Sequence, residues 1–475
     1  MTSLLPARPQ TSTVPARAVA VRLEHVTKAY GARPAIDDVS LTIPTGSSVA
    51  LVGANGAGKS TLLALLAGLL RPTSGRVTVH GCALEQRREA SPRVGLLTHQ
   101  TMLYDRLTGR ENLVLHARLR GISLHRVDMA LEQVGLVAAA DRPAGSYSHG
   151  MRKRLALARV QLHEPDVLLL DEPFAGLDPD AQQRLARLLA ALRGTTTILF
   201  TTHDLATAAA HADEVLQLDA GRVSRAGHPE DAGAEPADPD GASAPAAPRA
   251  RPAGMLRTAW IVFRKDLTVE ARGRATTSAV LILAGLLAVV LGMAFEPLAG
   301  NPRAVAGVLW VLVVFAALHG LTRSFDEDAH DDALRGVLLT GAEPAGVYLG
   351  RVASASVVLL AVALAALGAV AVLFAVPFPS GALPGLLVVL ALAVLGLAAV
   401  GTVLTVIARH SPLGETLLPL LLLPLAVPVL LAGIESVATL LETGALDGGW
   451  LRILAFYAVG MLAASTIVFE HTVEG

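Results

Sequence analysis

The chain has 475 residues, of which 52% are hydrophobic and 17% are charged. This composition is too apolar for a wholly soluble protein of this length. A chain of 475 residues is long enough for two or three domains. The 39 basic residues nearly balance the 40 acidic residues, so net charge gives no support to a nucleic-acid partner. A lone cysteine, Cys82, excludes an internal disulfide and is typical of a soluble part that lies in the cytosol.

Residues 1–19 are rich in proline, alanine and threonine and lack the continuous apolar core of a secretory signal, which predicts a disordered tail. Over residues 20–226, short apolar runs alternate with helical patterns. Buried strands are predicted to begin near Ser48, Val94, Val167 and Thr196, and helices are predicted over 59–70, 151–162 and 180–192. This alternation predicts an α/β domain with buried parallel strands.

Residues 53–60 fit the pattern G-x-x-x-x-G-K-[ST] and lie between a strand pattern and a helix pattern. This context predicts a phosphate loop, in which backbone amides and a helix N-terminus hold the phosphates of a nucleotide. Lys59 would reach the β and γ phosphates, Ser60 would hold Mg²⁺, and Thr61 would donate a further hydrogen bond. An ordinary glycine-rich turn is the alternative. The expected nucleotide-binding residues are Gly53, Asn55, Gly56, Gly58, Lys59, Ser60 and Thr61.

A second motif, Val167-Leu-Leu-Leu-Asp171-Glu172-Pro, places two acids directly after an apolar strand. Asp171 would reach the magnesium ion, and Glu172 would polarise the attacking water. Such a pair occurs by chance in many proteins. The pair indicates a nucleotide site here because a phosphate loop lies upstream of it in the chain.

With these motifs, residues 21–226 resemble the ATP-binding cassette family, which implies an α/β P-loop ATPase fold with ATP and Mg²⁺ as cofactors. The resemblance also implies roles for four single residues. Tyr30 would stack on adenine, and Asp178 would be the D-loop aspartate. His203 would be the catalytic switch histidine near the γ phosphate, and Gln100 the Q-loop glutamine, which serves both catalysis and the metal.

Residues 147–151, Tyr-Ser-His-Gly-Met, occupy the place of the family signature Leu-Ser-Gly-Gly-Gln. Ser148 and Gly150 are retained, so a helix N-terminus can still present donors to the γ phosphate of ATP bound by another subunit. The resemblance implies that two cassettes enclose two ATP molecules. A second copy of the ATP-binding domain is therefore an expected partner.

Residues 227–254 are rich in alanine and proline and predict a linker, and residues 255–475 predict a membrane domain. Four apolar residues at helical spacing, Leu256, Trp260, Phe263 and Leu267, predict an interfacial amphipathic helix at its start. Six membrane spans are predicted over 277–295, 304–322, 349–376, 384–408, 414–434 and 451–469.

Charge predicts the orientation of these spans. With a cytosolic amino end, nine basic residues flank the inner ends of the spans and only Arg303 and Arg452 lie outside, which agrees with the positive-inside rule. Between the second and third spans, residues 323–344 are acidic and then apolar. They predict either a solvated loop or, as we favour, a coupling segment in contact with the cassette.

Residues 255–470 resemble the permease subunit of the haem exporter in cytochrome c maturation. The resemblance rests on blocks that begin at Trp260, Val308, Gly346 and Glu415. Together with the Tyr-Ser-His-Gly-Met signature, they make the chain similar to a fusion of the ATP-binding subunit CcmA and the permease subunit CcmB.

The resemblance implies a multi-pass protein of the bacterial inner membrane, with its cassette on the cytoplasmic side. It also implies partners, namely other cytochrome c maturation membrane proteins and a haem chaperone. Two alternatives stay open: a generic exporter of a drug, lipid or glycan, and a mechanical transducer that conducts no substrate. Three histidines, His319, His330 and His410, are possible haem ligands, although a polar spot in the bundle and loop positions are the simpler interpretation.

Overall fold

The computed structural model describes residues 18–31, 33–84, 90–176, 179–225, 251–295, 300–329, 332–376, 379, 381–409 and 417–474. Two compact units are present. The first comprises Met1–Leu66, Pro72–Gln86 and Asp166–Pro248, and the second comprises Ala67–Arg71, Arg87–Pro165 and Arg249–Gly475. The predicted tail and linker lie almost entirely outside the described residues. The domain boundaries drawn from the sequence therefore stay predictions.

The first unit contains an antiparallel sheet whose strands follow the order β2-β1-β4-β5. The strands are β1 (Val19–Tyr30), β2 (Arg33–Pro44), β4 (Ser74–Val79) and β5 (Cys82–Ala83). In β1, Val21 and Leu23 are buried and pair with Val79 and Val77 of β4, so apolar side chains meet across the ladder.

The second sheet is the one that the apolar runs predicted. Its strands in this unit are β3 (Ser48–Val52), β7 (Val167–Leu170), β8 (Thr197–Thr202), β9 (Glu214–Asp219) and β10 (Arg222–Arg225), in the order β10-β9-β3-β8-β7. Strands β9, β3, β8 and β7 are parallel, and β7 and β8 are buried at every position. Buried parallel strands explain why these runs are continuously apolar. The predicted α/β fold is confirmed.

The helices of the described residues are α1 (Lys59–Leu66), α2 (Gly109–Arg120), α3 (His125–Gln133), α4 (His149–Gln161), α5 (Pro179–Leu192), α6 (Leu205–His211), α7 (Met255–Arg272), α8 (Arg274–Phe295), α9 (Pro302–Ala329), α10 (Ala333–Leu338), α11 (Pro344–Leu373), α12 (Ala382–Arg409), α13 (Leu417–Thr443) and α14 (Gly448–Glu474). Helix α2 begins with a capping box between Thr108 and Glu111 and ends at Gly121, whose φ of 70° suits glycine. Helices α2–α4 and the strand β6 (Val94–Leu97) belong to the second unit.

Within the described residues, five helices are long and apolar enough to cross a membrane: Pro302–Gly320 within α9, Pro344–Leu373, Ala382–Ala408, Leu417–Thr443 and Gly448–Thr472. They match five of the six predicted spans. The remaining predicted span, 277–295, lies in α8, of which the described side chains supply only the short apolar stretch Gly285–Phe295. That span stays a prediction.

The membrane helices pack closely through small residues. An added Cβ at Gly433 of α13 would lie 2.4 Å from the indole ring of Trp310 in α9, which is fully buried. Close approach at glycine is the usual means of packing helices where lipid offers no hydrophobic driving force between them.

Candidate nucleotide site

Glycine is required at three positions of the predicted phosphate loop. A Cβ at Gly53 would lie 2.3 Å from the carbonyl oxygen of Leu218, and one at Gly58 would lie 2.3 Å from that of Ala35. The φ angles of Gly56 and Gly58 are 82° and 105°, which side chains disfavour. The loop connects β3 to α1 in the geometry that the motif predicts.

The charged and hydroxyl groups of the loop lie at the start of α1. Lys59 is 7% exposed, and its Nζ donates to the carbonyls of Gly53 at 2.6 Å and Ala54 at 3.0 Å. Ser60 Oγ donates to Asp171 Oδ2 at 2.9 Å. Thr61, the next residue, is partly buried. The two predicted motifs therefore meet through the contact between Ser60 and Asp171.

Thr201 holds both acids in place, a role that the sequence analysis missed. Its hydroxyl donates to Asp171 Oδ1 at 2.7 Å and accepts from the backbone N–H of Glu172 at 2.9 Å. Thr201 is fully buried in β8, which is otherwise mostly apolar. A threonine within an apolar strand is a signal in the sequence for such a role, because a buried hydroxyl needs a hydrogen-bond partner.

Glu172 is at the centre of the predicted catalytic group. Its φ of 46° lies in the left-handed region, which is uncommon outside glycine and clusters at functional sites. Its Oε1 lies 3.7 Å from His203 Nδ1. After His203, the Asp204 carboxylate caps α6, and its hydrogen bonds with Thr207 lower the pKa of Asp204. The cap holds the turn that carries the histidine.

Tyr30 and Asn55 are two further members of the predicted set, and both are exposed. Tyr30 ends β1, is 56% exposed and lies under Lys28, whose Nζ is 5.5 Å from the ring centre. Asn55 is an exposed residue of the phosphate loop. An exposed aromatic ring is suited to stacking on a base.

Of the remaining predicted residues, Gln100, Ser148 and Gly150 belong to the second unit. The carbonyl of Gln100 accepts from Thr98 Oγ1 at 2.8 Å. Ser148 is the N-cap of α4, and an added Cβ at Gly150 would meet nothing within 4 Å. The signature segment thus begins a helix, as predicted. Asp178 lies outside the described residues.

In the membrane helices, His319 Nδ1 lies 3.0 Å from the carbonyl of Phe315, and the two rings are 4.2 Å apart. This local contact agrees with a polar spot within a helix. His330 and His410 lie outside the described residues. Among the residues that are described, no group of three or more histidine, cysteine, aspartate or glutamate side chains could hold a metal ion.

The predicted coupling segment contacts the helical part of the second unit. Arg120 of α2 is 8% exposed and donates to the carbonyls of Leu339 at 2.7 Å and Ser91 at 3.1 Å. An added Cβ at Gly336 of α10 would lie 3.0 Å from Met102 Cβ. The contact between this segment and residues 91–120 is therefore present.

Comparison with known proteins extends these observations. Residues 36–175 match the family described as ABC transporter, and residues 257–475 match the family described as CcmB protein. The ABC transporter ATP-binding protein NatA of Bacillus subtilis (strain 168) is 39% identical over 196 residues, which are 40% of this chain and 80% of NatA. The sulfate/thiosulfate import ATP-binding protein CysA of Synechococcus elongatus is 38% identical over 229 residues, which are 47% of this chain and 67% of CysA.

Among solved structures, a dimer of an ATP-binding cassette in a post-hydrolysis state, bound to ADP and Pi, is 28% identical. That match covers 43% of this chain and 97% of the other, with a TM-score of 0.41. The sequence matches carry the assignment, because NatA is matched over most of its own length. The chain therefore belongs to the ABC transporter family, and it joins an ATP-binding cassette to a CcmB domain in one multi-pass membrane polypeptide, as a fusion of CcmA and CcmB does.

Proposed function

We propose that this chain hydrolyses ATP to drive haem export, or the release of a haem-loaded chaperone, for the biogenesis of c-type cytochromes. The observation that carries the proposal is the CcmB match over residues 257–475, which includes all five apolar helices. The cassette alone does not specify a cargo, because its relatives carry names as different as sulfate import and daunorubicin resistance.

Within the cassette, the phosphate loop and the start of α1 would bind the phosphates of ATP. Lys59 is already close to the loop carbonyls and can exchange these contacts for phosphate oxygens. The hydroxyl of Ser60 and the carboxylate of Asp171 converge, and both are hard oxygen ligands of the kind that Mg²⁺ prefers. Magnesium held there, with Gln100 as a further ligand, would neutralise phosphate charge.

Glu172 would act as the general base that orients the attacking water. Its backbone N–H is bonded to Thr201, and its carboxylate lies beside His203, so both ends of the residue are positioned. His203 and Gln100 would complete the catalytic group near the γ phosphate. Contacts within the first unit support the roles of Glu172 and His203, and the role of Gln100 follows from the motif order alone.

Two copies of the cassette would be needed. Ser148 and Gly150 begin α4, whose N-terminal amides favour an anion such as the γ phosphate of ATP on a second copy. Tyr30 would stack on adenine and Asp178 would lie in the D-loop. The chain would be an inner-membrane protein with a cytoplasmic ATP-binding domain (20–226), a linker (227–254) and a permease domain (255–475), in contact with other cytochrome c maturation proteins and a haem chaperone.

The test is replacement of Glu172 by Gln in a strain whose own copy of the gene is deleted. We expect ATPase activity to fall about 10²- to 10⁴-fold, as for loss of a general base, and haem-stained c-type cytochromes to disappear. A matched variant, Glu132→Gln, changes an exposed glutamate of α3 and should behave as the parent. Normal cytochrome levels in a strain with proven loss of ATPase activity would refute the proposed function.

Sealed inside-out vesicles then separate the two forms of the proposal. Uptake of haem that depends on ATP supports export. ATP-dependent release of a haem chaperone from its membrane partner without haem uptake supports the transducer. Accumulation of a drug, lipid or glycan inside cells of the deletion strain, with cytochromes intact, would instead favour the generic exporter.

A further inference from the structure

One side of helix α7 exposes a row of large apolar side chains. Leu256 and Trp260 are 76% and 59% exposed, and the Trp260 ring stacks on the half-buried ring of Phe263 with 5.5 Å between the ring centres. Leu267 follows at the next helical spacing, so these four side chains form one row, which we call the apolar stripe of α7. A contiguous apolar surface of this kind suits the boundary of a bilayer, where tryptophan is enriched.

The opposite side of α7 packs against the protein. Its buried residues are Thr258, Ile261, Val262 and Lys265. The backbone of α7 also lies close to α11, because a Cβ added at Gly350 would lie 2.5 Å from the carbonyl oxygen of Ala259. These contacts fix the rotation of α7 about its own axis, so the apolar stripe stays on the outside.

Two arginines border the apolar stripe on one side. Successive residues of an α-helix are rotated by about 100°, which places Arg257 and Arg264 about 20° apart and about 40–60° from Trp260. Both arginine side chains are exposed. The acids of the helix, Asp266 and Glu270, fall on the other side of the stripe. The exposed surface of α7 is therefore apolar along the stripe and basic along one border.

The charges of these two arginines are not neutralised by the part of the protein that the structure describes. Within those residues, no carboxylate forms an ion pair with Arg257 or Arg264. Arg272, at the end of the same helix, is different, because it donates to both carboxylate oxygens of Glu111. The unneutralised guanidinium groups of α7 are thus the two beside the apolar stripe.

This arrangement matches the layers of a membrane surface. A helix that lies in the interface places its apolar side chains among acyl chains, and its basic side chains reach the level of the lipid phosphates. A guanidinium group presents a planar fork of donors that can bind two phosphate oxygens at once. The arginines are therefore complementary in charge and in geometry to a negatively charged headgroup.

We propose that Arg257 and Arg264 bind the headgroup of an anionic phospholipid in the leaflet against which α7 lies, while the apolar stripe contacts its acyl chains. A lipid fits better than a soluble anion, because the stripe beside the arginines also needs an apolar partner. The inference goes beyond the proposed function, since headgroup binding requires neither ATP nor haem. A basic residue near an anionic surface strengthens binding about fivefold, so the pair should favour an anionic lipid over a neutral one about thirtyfold.

The test uses Trp260 as an intrinsic reporter in the full chain, reconstituted in vesicles of dioleoylphosphatidylcholine. Trp450→Phe removes a partly buried indole, and the fully buried Trp310 adds a background that is common to all variants. A small share of the lipid is replaced by phosphatidylglycerol or phosphatidylcholine that carries bromine in its acyl chains near the headgroup. Bromine quenches a tryptophan that it contacts, so the ratio of quenching by the two lipids gives the preference beside Trp260.

We expect a preference for phosphatidylglycerol of about thirtyfold in the parent, of about fivefold in Arg257→Gln or Arg264→Gln, and none in the double glutamine variant. The double lysine variant keeps both charges and should stay clearly above the double glutamine variant. Since exposed charges are screened, about 1 M salt should lower the preference of the parent towards that of the double glutamine variant.

A matched control is Arg187→Gln, which removes the same charge from an exposed position of α5 and should keep the preference of the parent. All variants should bind MgATP equally, which shows that they are folded, because none of the changed residues lies in the nucleotide site.

Three results would overturn the inference. The first is equal quenching of the parent by the two brominated lipids, and the second is a double glutamine variant with the preference of the parent. The third is loss of the preference when inorganic phosphate replaces chloride at constant ionic strength, since a free anion would then occupy the arginines. None of these results bears on the proposed function, which is read from ATPase activity and c-type cytochromes.

Discussion

Asn112→Ala tests how the loop before α2 is held. Asn112 is fully buried; its Oδ1 accepts from the N–H of Tyr104 at 2.8 Å, and its Nδ2 donates to the carbonyls of Tyr104, Leu107 and Thr108. These carbonyls keep other partners after the change. The N–H of Tyr104 loses the acceptor that Asn112 supplies, so this buried N–H is the group that the change affects most.

The change in the free energy of opening this loop follows from the hydrogen bonds that Asn112→Ala removes. An unsatisfied buried N–H costs about 1–3 kcal/mol, and the lost donor adds about 1 kcal/mol, so the loop should open more easily by about 2–4 kcal/mol. Since 1.36 kcal/mol is tenfold, hydrogen exchange at the amides of residues 104–108 should accelerate about 30- to 900-fold. Exchange is read by mass spectrometry on the purified full chain.

A matched control is Asn301→Ala, which removes an exposed side chain that caps the start of α9 through the N–H of Arg303. Exchange at residues 104–108 should be unchanged in that variant. If Asn112→Ala also leaves the amide of Tyr104 at its original exchange rate, the assignment of Asn112 as the residue that holds this loop is wrong.

Three further predictions concern other parts of the chain. Thr201→Val removes the hydroxyl that holds Asp171 and should raise the magnesium concentration needed for ATPase activity about 10- to 100-fold, read from a Mg²⁺ titration. Burial, reinforced by neighbouring guanidinium charges, holds the pKa of His116 well below its usual value, so stability is present above the unfolded value near 6.5 and is lost as the pH falls. His116→Leu should therefore reduce the loss of thermal stability on acidification. Gly433→Ala places a methyl group against Trp310 and should cost about 1–3 kcal/mol, measured as a lower Tm in detergent.

Each of these has a control at an exposed or open position. Thr195→Ala removes an exposed hydroxyl that bonds only its own helix end, and should leave the magnesium dependence unchanged. His125→Leu changes an exposed histidine of α3 and should keep the parent's pH response. Gly460→Ala adds a methyl group with nothing within 4 Å, so its Tm should not fall. Equal effects in a variant and its control would contradict the corresponding prediction.

Periodicity and motif spacing predicted the parts of the fold that depend on local pattern. The buried strands β3, β7 and β8 and the helix after the phosphate loop were found because their apolar runs are continuous or follow a helical period. The antiparallel sheet was not predicted. Its first strand, Val19–Tyr30, mixes buried, half-buried and exposed positions without strict alternation, so no period marks it as a strand.

The missed residue Thr201 illustrates a limit of another kind. Strands β7 and β8 are parallel with Leu170 opposite Phe200, which brings the next residues, Asp171 and Thr201, side by side. This register joins positions 30 residues apart and is absent from any local pattern. Likewise, helical spacing identified the apolar side of α7 but gave no reason to bury Lys265, because the Tyr104 ring that compensates the charge comes from a distant loop.

The joint between α2 and the CcmB domain combines apolar packing with polar contacts of two kinds. Tyr104, Leu115 and Leu119 share a core with residues of α7 and α10, and such packing is strong but has little directional preference. Arg120 makes a directional contact, because its guanidinium donates a hydrogen bond to the carbonyl of Leu339. Any residue at position 339 would supply this carbonyl. Arg272 of α7 donates to both carboxylate oxygens of Glu111, and this contact depends on both side chains. The contact between α7 and α2 can therefore be weakened by changing one of these two side chains. The carbonyl of Leu339, in contrast, stays an acceptor whatever residue occupies that position.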